Sequence, residues 1–364
     1  MALSCGIVGL PNVGKTTIFG AMVGKDVERS DFMFSTTGPV KGMVDLPDHR
    51  LEKIAQFIPP EKIIPAQMAV TDIPGLISGS SHGEGMGISF LGAIKDSDVL
   101  LHVIRCFNKE GLEHVTGSLD PAIDAEIVDL ELGQADLGTL ERNVERVGKK
   151  ARTGDKDSLA QKEAFEKAKG KLDAGIPLRQ VDWTKQELDH LRPLFLMTLK
   201  PMLFVANVGD DDLNGESDHV LALRDYGHKT GCEVAHICGD LEAELGRLDE
   251  EECAMFMEEL GMAESGLSRF IHQAFDLLGL QTYFTAGEME VRAWVIRKGD
   301  TAPVSAGVIH TDFERKFIRV EVYTFDDLTE HESEVEIKAA GKMRTEGKDY
   351  VVRDGDVCHF LIGN

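Results

Sequence analysis

The chain has 364 residues, 42% of them hydrophobic, which is enough for two or three domains with real cores. Its net charge of −24, from 39 basic and 63 acidic residues, argues against non-specific binding to DNA or other nucleic acid. No apolar run approaches the roughly 20 residues that cross a membrane, and the lack of a secretory signal or a CxxC pair predicts a cytoplasmic protein with reduced thiols.

The first predicted element is a strand–loop–helix unit. Leu3–Val8 is a short apolar run typical of a buried strand, and Thr17–Val23 has helical character. Between them, Gly9 to Thr16 fits the pattern G-x-x-x-x-G-K-[ST], in which glycines let backbone N–H groups approach phosphate. Lys15 is expected to reach the β- and γ-phosphates, and the Thr16 hydroxyl to bind Mg²⁺. The structural alternative is a glycine-rich turn that holds no ligand.

Two candidate switch segments follow the first helix. Asp72-Ile-Pro-Gly75 comes directly after an apolar run, so we expect the Asp72 carboxylate to hold the Mg²⁺ shell and the Gly75 N–H to meet the γ-phosphate. A simple turn is the alternative. Upstream, a threonine within Phe34–Pro39 is a candidate second hydroxyl for Mg²⁺, and spacing leaves open which one. Leu76 replaces the glutamine that orients water in Ras-like enzymes, which predicts slow intrinsic turnover.

Strand-like runs that alternate with helical ones predict a mostly parallel α/β sheet. Between 123 and 199 this rhythm gives way to two helical stretches separated at 152–155, which predicts an inserted antiparallel hairpin. The predicted nucleotide-binding domain is therefore discontinuous, and it consists of residues 1–122 and 200–280. The strand-like runs are Leu3–Val8, Ala66–Thr71, Val99–Ile104, Met202–Ala206 and Glu233–Ile237.

The predicted hairpin is locally basic. Residues 140–171 contain ten basic and six acidic residues, a charge of +4 within a chain of −24. We interpret this stretch as a contact surface for a phosphate-rich partner, because salt screens the acidic remainder of the chain over roughly 8–10 Å. An ordinary solvated helix face is the alternative.

The run Met202–Ala206 ends in a candidate base-recognition segment, Asn207-Val208-Gly209-Asp210. Guanine-specific P-loop enzymes have Asn-Lys-x-Asp at this point. Asn207 can hydrogen-bond a purine edge, but the lysine whose stem lies along the base is replaced by Val208. The role of Asp210 is ambiguous, and the missing lysine favours a relaxed or adenine-preferring pocket.

After Leu280 the sequence changes character again. Short apolar runs between polar turns predict a third, β-rich domain over residues 281–364. These runs are Glu290–Ile296, Ala306–Ile309, Phe317–Tyr323, Asp349–Val352 and Val357–Leu361.

Over essentially its whole length the chain resembles the YchF subfamily of Obg-related P-loop proteins, the Obg-like ATPases. The resemblance implies an ATPase domain, an inserted coiled-coil-like helical domain and a C-terminal TGS domain. It also implies ATP and Mg²⁺ as ligands, a cytosolic association with the ribosome and a role in translation or the stress response. The local positive charge of the hairpin then predicts contact with phosphate-rich ribosomal RNA. The motifs that carry it are Cys5–Thr16, Asp72–Ile77, Val103–Phe107, Leu199–Pro201, Ala206–Val208, Leu280–Gly287, Ile309–Glu314, Glu346–Tyr350 and Gly355–Asp356.

The resemblance also assigns roles to single residues. His114, in Leu112-Glu-His-Val115, matches the family histidine linked to hydrolysis. Two departures concern the family's usual Glu, which is Asp210 here, and its usual Ile-Glu-Pro, which is Thr37-Gly38-Pro39 here. The phosphate residues carried over are Asn12, Val13, Gly14, Lys15, Thr16 and Thr17; the Mg²⁺ residues are Thr16 and Thr36; the base residues are Asn207 and Val208.

Together these observations predict a slow Mg²⁺-dependent ATPase that acts as a nucleotide-controlled binder of the translation machinery. A GTPase of the same architecture is the first alternative. The second alternative is a binding module that uses its nucleotide without hydrolysing it.

Overall fold

The structure, a computed structural model, describes residues 4–24, 39–73, 86–109, 111–112, 114–152, 154–262 and 264–363, with the backbone alone for 86–90 and 250. The chain divides into two compact units. The first consists of Leu3–Met43 with Ala69–Phe270, and the second contains Val44–Met68 with Ile271–Asn364. None of the helices within the described ranges combines the length and apolar character needed to cross a membrane.

A six-stranded sheet is the frame of the first unit. Its strands are β1 (Ser4–Val8), β2 (Val40–Asp45), β4 (Gln67–Asp72), β5 (Val99–Arg105), β6 (Met202–Asn207) and β7 (Glu233–Ile237). They lie in the order β2-β4-β1-β5-β6-β7, and β1 pairs in parallel with both β4 and β5. The pairs β5–β6 and β6–β7 are also parallel. The predicted parallel sheet is therefore confirmed, with β2 as an additional strand that the sequence did not reveal.

The central strands are buried along their whole length. Every residue of β5 and β6 is buried, as expected for parallel strands that are covered on both faces. His102 in β5 is polar and yet fully buried. Burial lowers its pKa to about 3. His102 is therefore neutral at physiological pH, and its ring packs edge-on against Phe204 with centroids 5.6 Å apart.

The helices of the first unit include the predicted hairpin. Its two long helices are α4 (Pro121–Ala151) and α5 (Lys156–Asp173), and they bury a shared core that contains Leu140, Phe165 and Leu172. The Asp120 side chain accepts hydrogen bonds from the first N–H groups of α4, so the helix begins where Pro121 follows a good N-cap. The other helices are α1 (Lys15–Val23), α3 (Met86–Asp96), α6 (Lys185–Leu191), α7 (Asp218–Thr230), α8 (Gly239–Leu245), α9 (Glu250–Glu259) and α10 (Gly266–Leu277), the last of which runs across the division between the units.

A buried carboxylate ties the hairpin to the sheet that follows it. Asp136 of α4 accepts hydrogen bonds from the backbone N–H groups of Met197 and Thr198 and from the Thr198 hydroxyl, at 3.0, 2.8 and 2.7 Å. Because an uncompensated buried carboxylate is costly, these three bonds fix α4 to the segment that leads into β6. The hairpin accordingly belongs to the first compact unit and is not separate from it.

The second unit contains a mixed sheet in the order β11-β10-β12-β8-β9-β3. Its core contains Tyr283, Val320 and Val322. The strands are β3 (Lys62–Ile64), β8 (Leu280–Ala286), β9 (Glu290–Arg297), β10 (Phe317–Thr324), β11 (Arg344–Glu346) and β12 (Asp356–Ile362). The helices are α2 (His49–Phe57), α11 (Ala302–Ile309), α12 (Thr311–Lys316), α13 (Phe325–His331) and α14 (Glu334–Ala339).

Two predicted strand runs of this region take other forms. Ala306–Ile309 is the end of α11, because Pro303 lies in its first turn and small buried residues recur at helical spacing. Asp349–Val352 contributes only an isolated bridge between Thr301 and Val351.

The compact units also differ from the predicted ranges 1–122 with 200–280, 123–199 and 281–364. Residues 44–68 belong to the second unit because β3 pairs in parallel with β9, with Lys62 opposite Glu290.

Candidate nucleotide-binding site

The loop between β1 and α1 has a backbone that only glycine can supply at two positions. Gly9 and Gly14 have φ angles of +149° and +95°. A Cβ at Gly9 would lie 2.3 Å from the carbonyl oxygen of Val103, and one at Gly14 would lie 2.2 Å from Asn207 Nδ2. Gly14 is also the N-cap of α1 and provides no side-chain cap. The first N–H groups of α1 therefore face outward with positive partial charge, the arrangement that binds anions.

Lys15 is held along this loop. Its side chain is buried, and Nζ donates hydrogen bonds to the carbonyl oxygens of Gly9 and Leu10 at 3.1 and 2.7 Å. Burial lowers the pKa of Lys15 to about 8, although the negative charge of Asp72 opposes that shift. A buried ammonium whose charge is only partly compensated by two carbonyl groups is well suited to receive an anionic ligand.

Thr16 and Asp72 come together beside Lys15. In the register of β1 and β4, Asp72 lies opposite Ile7, so both strands end at the same edge of the sheet. The Thr16 hydroxyl donates to Asp72 Oδ2 at 2.9 Å, while Asp72 Oδ1 is buried without a hydrogen-bond partner. Burial raises the pKa of Asp72, and the Thr16 hydrogen bond and the Lys15 charge oppose the rise. A hydroxyl and an unsatisfied carboxylate oxygen are ligands that suit Mg²⁺.

Three residues of the predicted switch segments cannot be placed. Thr36, Gly75 and Leu76 lie outside the described residues, so their roles stay predictions.

A cleft of about 660 Å³ adjoins the glycine loop. Five of the predicted site residues line it: Asn12, Gly14, Thr17, Asn207 and Val208. Val13 is buried behind the cleft, where its carbonyl oxygen accepts a hydrogen bond from Asn207 Nδ2 at 2.9 Å. The structure thus brings the loop and the candidate base segment to one cavity.

Asn207 joins two loops that approach the cleft. Besides its bond to Val13, its Oδ1 accepts a hydrogen bond from the backbone N–H of Gly239 at 3.0 Å. Val208 is buried, and its N–H donates to the carbonyl oxygen of Ile237 at 2.9 Å. One N–H of the Asn207 amide is left over for a ligand, so the side chain acts first as a brace for the site.

The sequence indicated only part of the far walls of the cleft: Gly209 and Asp210 in the candidate base segment, and Phe107 at the end of a family motif. One wall consists of Phe107, Asn108, Lys109 and Leu112, and the other of residues from 209–211 and 238–244. The available signal was Arg105, a charged residue that ends an otherwise apolar strand at the carboxyl edge of a parallel sheet, where ligand sites lie. Carboxylates are frequent in the lining of the cleft, which contains Asp210, Asp211, Asp240 and Glu244. Among the described lining residues, Lys109 is the only cation.

His114 lies in a separate environment. It is not among the residues that line the cleft, and both ring nitrogens have partners: Nδ1 is 2.8 Å from Thr116 Oγ1, and Nε2 is 2.9 Å from Asp124 Oδ2. The Asp124 side chain is only 1% exposed, and burial raises its pKa against the opposing effect of His114. The predicted catalytic histidine is therefore held at the start of α4 in this structure.

The basic stretch of the hairpin reaches solvent near the turn between α4 and α5. Arg146, Lys149, Lys150, Arg152 and Lys156 are exposed there. Some of the stretch's basic side chains are paired with acids along the helices, as in Lys149–Glu145 and Lys162–Glu166. Such exposed pairs are weak and leave the helical surface available to a partner.

Two family models match separate parts of the chain. The family model described as a 50S ribosome-binding GTPase matches residues 4–131. The YchF-GTPase C-terminal model, described as a protein of unknown function, matches residues 280–363.

Relatives match the chain from end to end. The ribosome-binding ATPase YchF of Escherichia coli O157:H7 is 45% identical over 361 residues, which are 99% of each chain. The protein of the same name from Bacillus subtilis is 44% identical over 362 residues, again 99% of each. The solved structure of the Schizosaccharomyces pombe YchF GTPase is 32% identical, with a TM-score of 0.84 over 99% of this chain and 97% of that one. The predicted resemblance and fold class are confirmed, and the chain belongs to the YchF family.

Proposed function

We propose that this protein is a Mg²⁺-dependent ATPase with slow intrinsic turnover, whose nucleotide state controls its binding to the ribosome. The observation that carries the proposal is the placement of buried Lys15 beside the Thr16–Asp72 pair, next in the chain to Gly14 and Thr17, which line a cleft large enough for a nucleoside. The names of the E. coli and B. subtilis relatives support ATP hydrolysis and ribosome binding.

Each residue of the phosphate end has a distinct part in this proposal. The N–H groups of Asn12 to Thr17 bind the β-phosphate oxygens, and Lys15 moves its hydrogen bonds from carbonyl groups to phosphate. Thr16, Asp72 and Thr36 would hold Mg²⁺, and the Gly75 N–H would meet the γ-phosphate. When bound, Mg²⁺ neutralises charge on the phosphate oxygens as the terminal phosphate leaves.

We propose that His114 contributes to hydrolysis after it leaves its hydrogen bonds to Asp124 and Thr116. Both ring nitrogens are engaged in these bonds, so the ring must release at least one of them before it can contact a water molecule or a phosphate. His114→Ala should lower the single-turnover rate while the affinity for ATP is kept. An unchanged rate in that variant would show that the histidine only fixes the start of α4.

The choice between ATP and GTP is the sharpest test of the function. The S. pombe relative is titled a GTPase and the bacterial relatives are named ATPases, so the family names do not agree. With Val208 in place of a lysine, we expect ATP to displace a labelled nucleotide at lower concentration than GTP does. One well-made base contact is typically worth about 1–3 kcal/mol.

The measurement uses nucleotide-free protein, unlabelled ATP and GTP as competitors, and phosphate release from each. A preference for GTP of about tenfold or more would reverse the assignment in favour of the GTPase alternative. Binding of ATP with no phosphate release, alone or with ribosomes, would leave only the non-hydrolytic binding module.

We propose that the ribosome is the partner and that the basic hairpin contacts ribosomal RNA, which places the protein in the cytoplasm. Electrostatic contacts to RNA phosphates weaken steeply with salt because counterions are released on binding. Changing Lys149, Lys150 and Arg152 together to Glu should therefore reduce co-sedimentation with ribosomes. The ATPase rate of the isolated protein should not change, since these residues do not line the cleft.

The control for this experiment reverses the charge of three acidic residues outside the basic stretch. Glu251, Glu258 and Glu259, which are exposed on α9, are changed together to Lys. Co-sedimentation of both variants would be followed across a salt series with separated subunits and whole ribosomes. Binding that ignores both salt and the hairpin reversal would mean that the basic stretch is a solvated face.

A further inference from the structure

Arg105 is a buried arginine whose hydrogen bonds all point to one wall of the cleft. It is the last residue of β5 and is 5% exposed. Its Nε donates to the carbonyl oxygen of Phe107 at 3.0 Å, and its Nη1 donates to the carbonyl oxygen of Leu112 at 3.0 Å. Its guanidinium carbon also lies 4.9 Å from the centre of the Phe107 ring.

The two carbonyl groups belong to residues that face the nucleotide cleft. Phe107 and Leu112 are the apolar residues of the wall opposite residues 238–244. Arg105 bonds the two carbonyls from separate nitrogens, Nε and Nη1, which the planar guanidinium holds in fixed positions. A lysine would have to reach both acceptors from the single nitrogen at the end of a flexible stem. Arg105 therefore fixes both ends of the wall and the face of the aromatic ring.

The wall has a second, weaker attachment. Lys109 Nζ lies 3.5 Å from Asp240 Oδ2 on the opposite side of the cleft. Both side chains are largely exposed, at 59% and 76%, so the pair is screened by solvent and contributes little. Of these two attachments, the one through Arg105 is the stronger.

We propose that Arg105 is a positioning residue that fixes the Phe107–Leu112 wall so that the base of a bound nucleotide packs against it. This inference rests on the proposed function, since it assumes that a nucleotide occupies the cleft. The wall adjoins the base segment 207–211 and does not include Lys15, so Arg105 supports recognition of the base but not of the phosphates. Its loss should reduce the advantage of a nucleotide over a bare polyphosphate.

Arg105→Lys is the informative variant. It keeps the positive charge, which also acts on nearby Asp124 and so on its contact with His114. It removes the pair of hydrogen bonds from Nε and Nη1 to the carbonyl oxygens of Phe107 and Leu112. Affinities for ATP and for inorganic tripolyphosphate would be measured by displacement of a fluorescent nucleotide, and unfolding would be followed in urea for each variant.

Arg179→Lys is the matched control. Arg179 is similarly buried in the same unit and pairs with Asp129, but it does not line the cleft. We expect Arg105→Lys to lower the affinity for ATP by about tenfold and the affinity for tripolyphosphate by less than about twofold. Arg179→Lys should change neither affinity, even if it lowers stability as much. Lys109→Ala should lower the affinity for ATP by no more than about threefold.

The outcomes separate this inference from the proposed function. If wild-type protein prefers ATP to tripolyphosphate and Arg105→Lys keeps that preference, Arg105 is only structural and the inference fails alone. If wild-type protein shows no preference, the cleft does not bind a base and both proposals fail. Should Arg105→Lys not fold, Leu112→Ala tests the same wall, and an unchanged preference for ATP in that variant overturns the inference.

Discussion

The two ends of the cleft are built in different ways. The proposed phosphate end, at the glycine loop, is shaped by the main chain, with glycines at positions where a Cβ would collide and with helix N–H groups directed outward. The proposed base end is lined by side chains from three separate segments, and Asn207 and Arg105 hydrogen-bond to backbone groups nearby. The phosphate end therefore has little tolerance for substitution, while the base end can change its preference through single side chains.

Asn207 connects these ends, because its amide bonds the glycine loop on one side and the first residue of α8 on the other. Substitutions at the glycine loop and at Asn207 test how the two ends depend on each other, and we expect their effects on ATP affinity to differ in size.

The largest effect is expected from Lys15→Ala. The variant removes the ammonium that would meet two phosphate groups, so affinity for ATP and for tripolyphosphate should both fall by about a hundredfold or more. Lys200→Ala is the control, because Lys200 also donates from a partly buried site to two carbonyl groups, but these belong to Lys95 and Ser97 and not to the glycine loop. Isothermal titration with both ligands would show the loss. Equal losses in the two variants would mean that general destabilisation, not phosphate contact, is measured.

A smaller effect is expected from Asn207→Ala. It leaves the Gly239 N–H and the Val13 carbonyl without their side-chain partner, which should cost about 2 kcal/mol of unfolding free energy. ATP affinity should fall with it, since the glycine loop loses its brace. Asn143→Ala removes a side-chain hydrogen bond within the hairpin and serves as the comparison. Urea unfolding and nucleotide titration measure both quantities, and unchanged ATP affinity would show that the two ends act independently.

The smallest effect concerns pH. The pKa of Lys15 is lowered to about 8 by burial, and phosphate prefers the charged form. Above that pH the ammonium must be reprotonated on binding, so ATP affinity should fall about twofold from pH 7 to pH 8 and about tenfold from pH 7 to pH 9. Lys15→Arg stays charged over this range and should show a flat profile. A flat profile in the wild type would contradict the effect of burial on this lysine.

The phosphate end was predictable because its geometry is local. Gly9, Gly14, Lys15 and Thr16 fall within eight residues, and a strand and a helix flank them in the sequence. Asp72 was predictable because parallel strands end at one edge of a sheet. The base end was only partly predictable, since Phe107 and Asp240 come to line the same cleft through tertiary folding, with no fixed spacing in the sequence.

The second unit shows where local signals mislead. The run Ala306–Ile309 is apolar enough for a strand, but the turn that starts at Pro303 and the burial of Ser305 and Ala306 place it in a helix. The sequence of residues 44–68 did not indicate that they belong to the second unit, because β9, the partner strand of β3, lies far away in the sequence. The role of His114 stays a prediction: the family resemblance suggested a part in hydrolysis, and in the structure its ring is hydrogen-bonded to Thr116 and Asp124.

The pairing of β3 with β9 constrains how the protein is made. During synthesis, β3 emerges long before its partner strand, so residues 62–64 must wait unpaired until β9 has left the ribosome. Contacts between distant parts of a chain also slow folding. Completion of the mixed sheet is therefore a late event that needs both ends of the chain. A fragment that begins at residue 281 would lack β3 and α2 and would leave one edge of β9 without its partner strand, open to pairing with other chains.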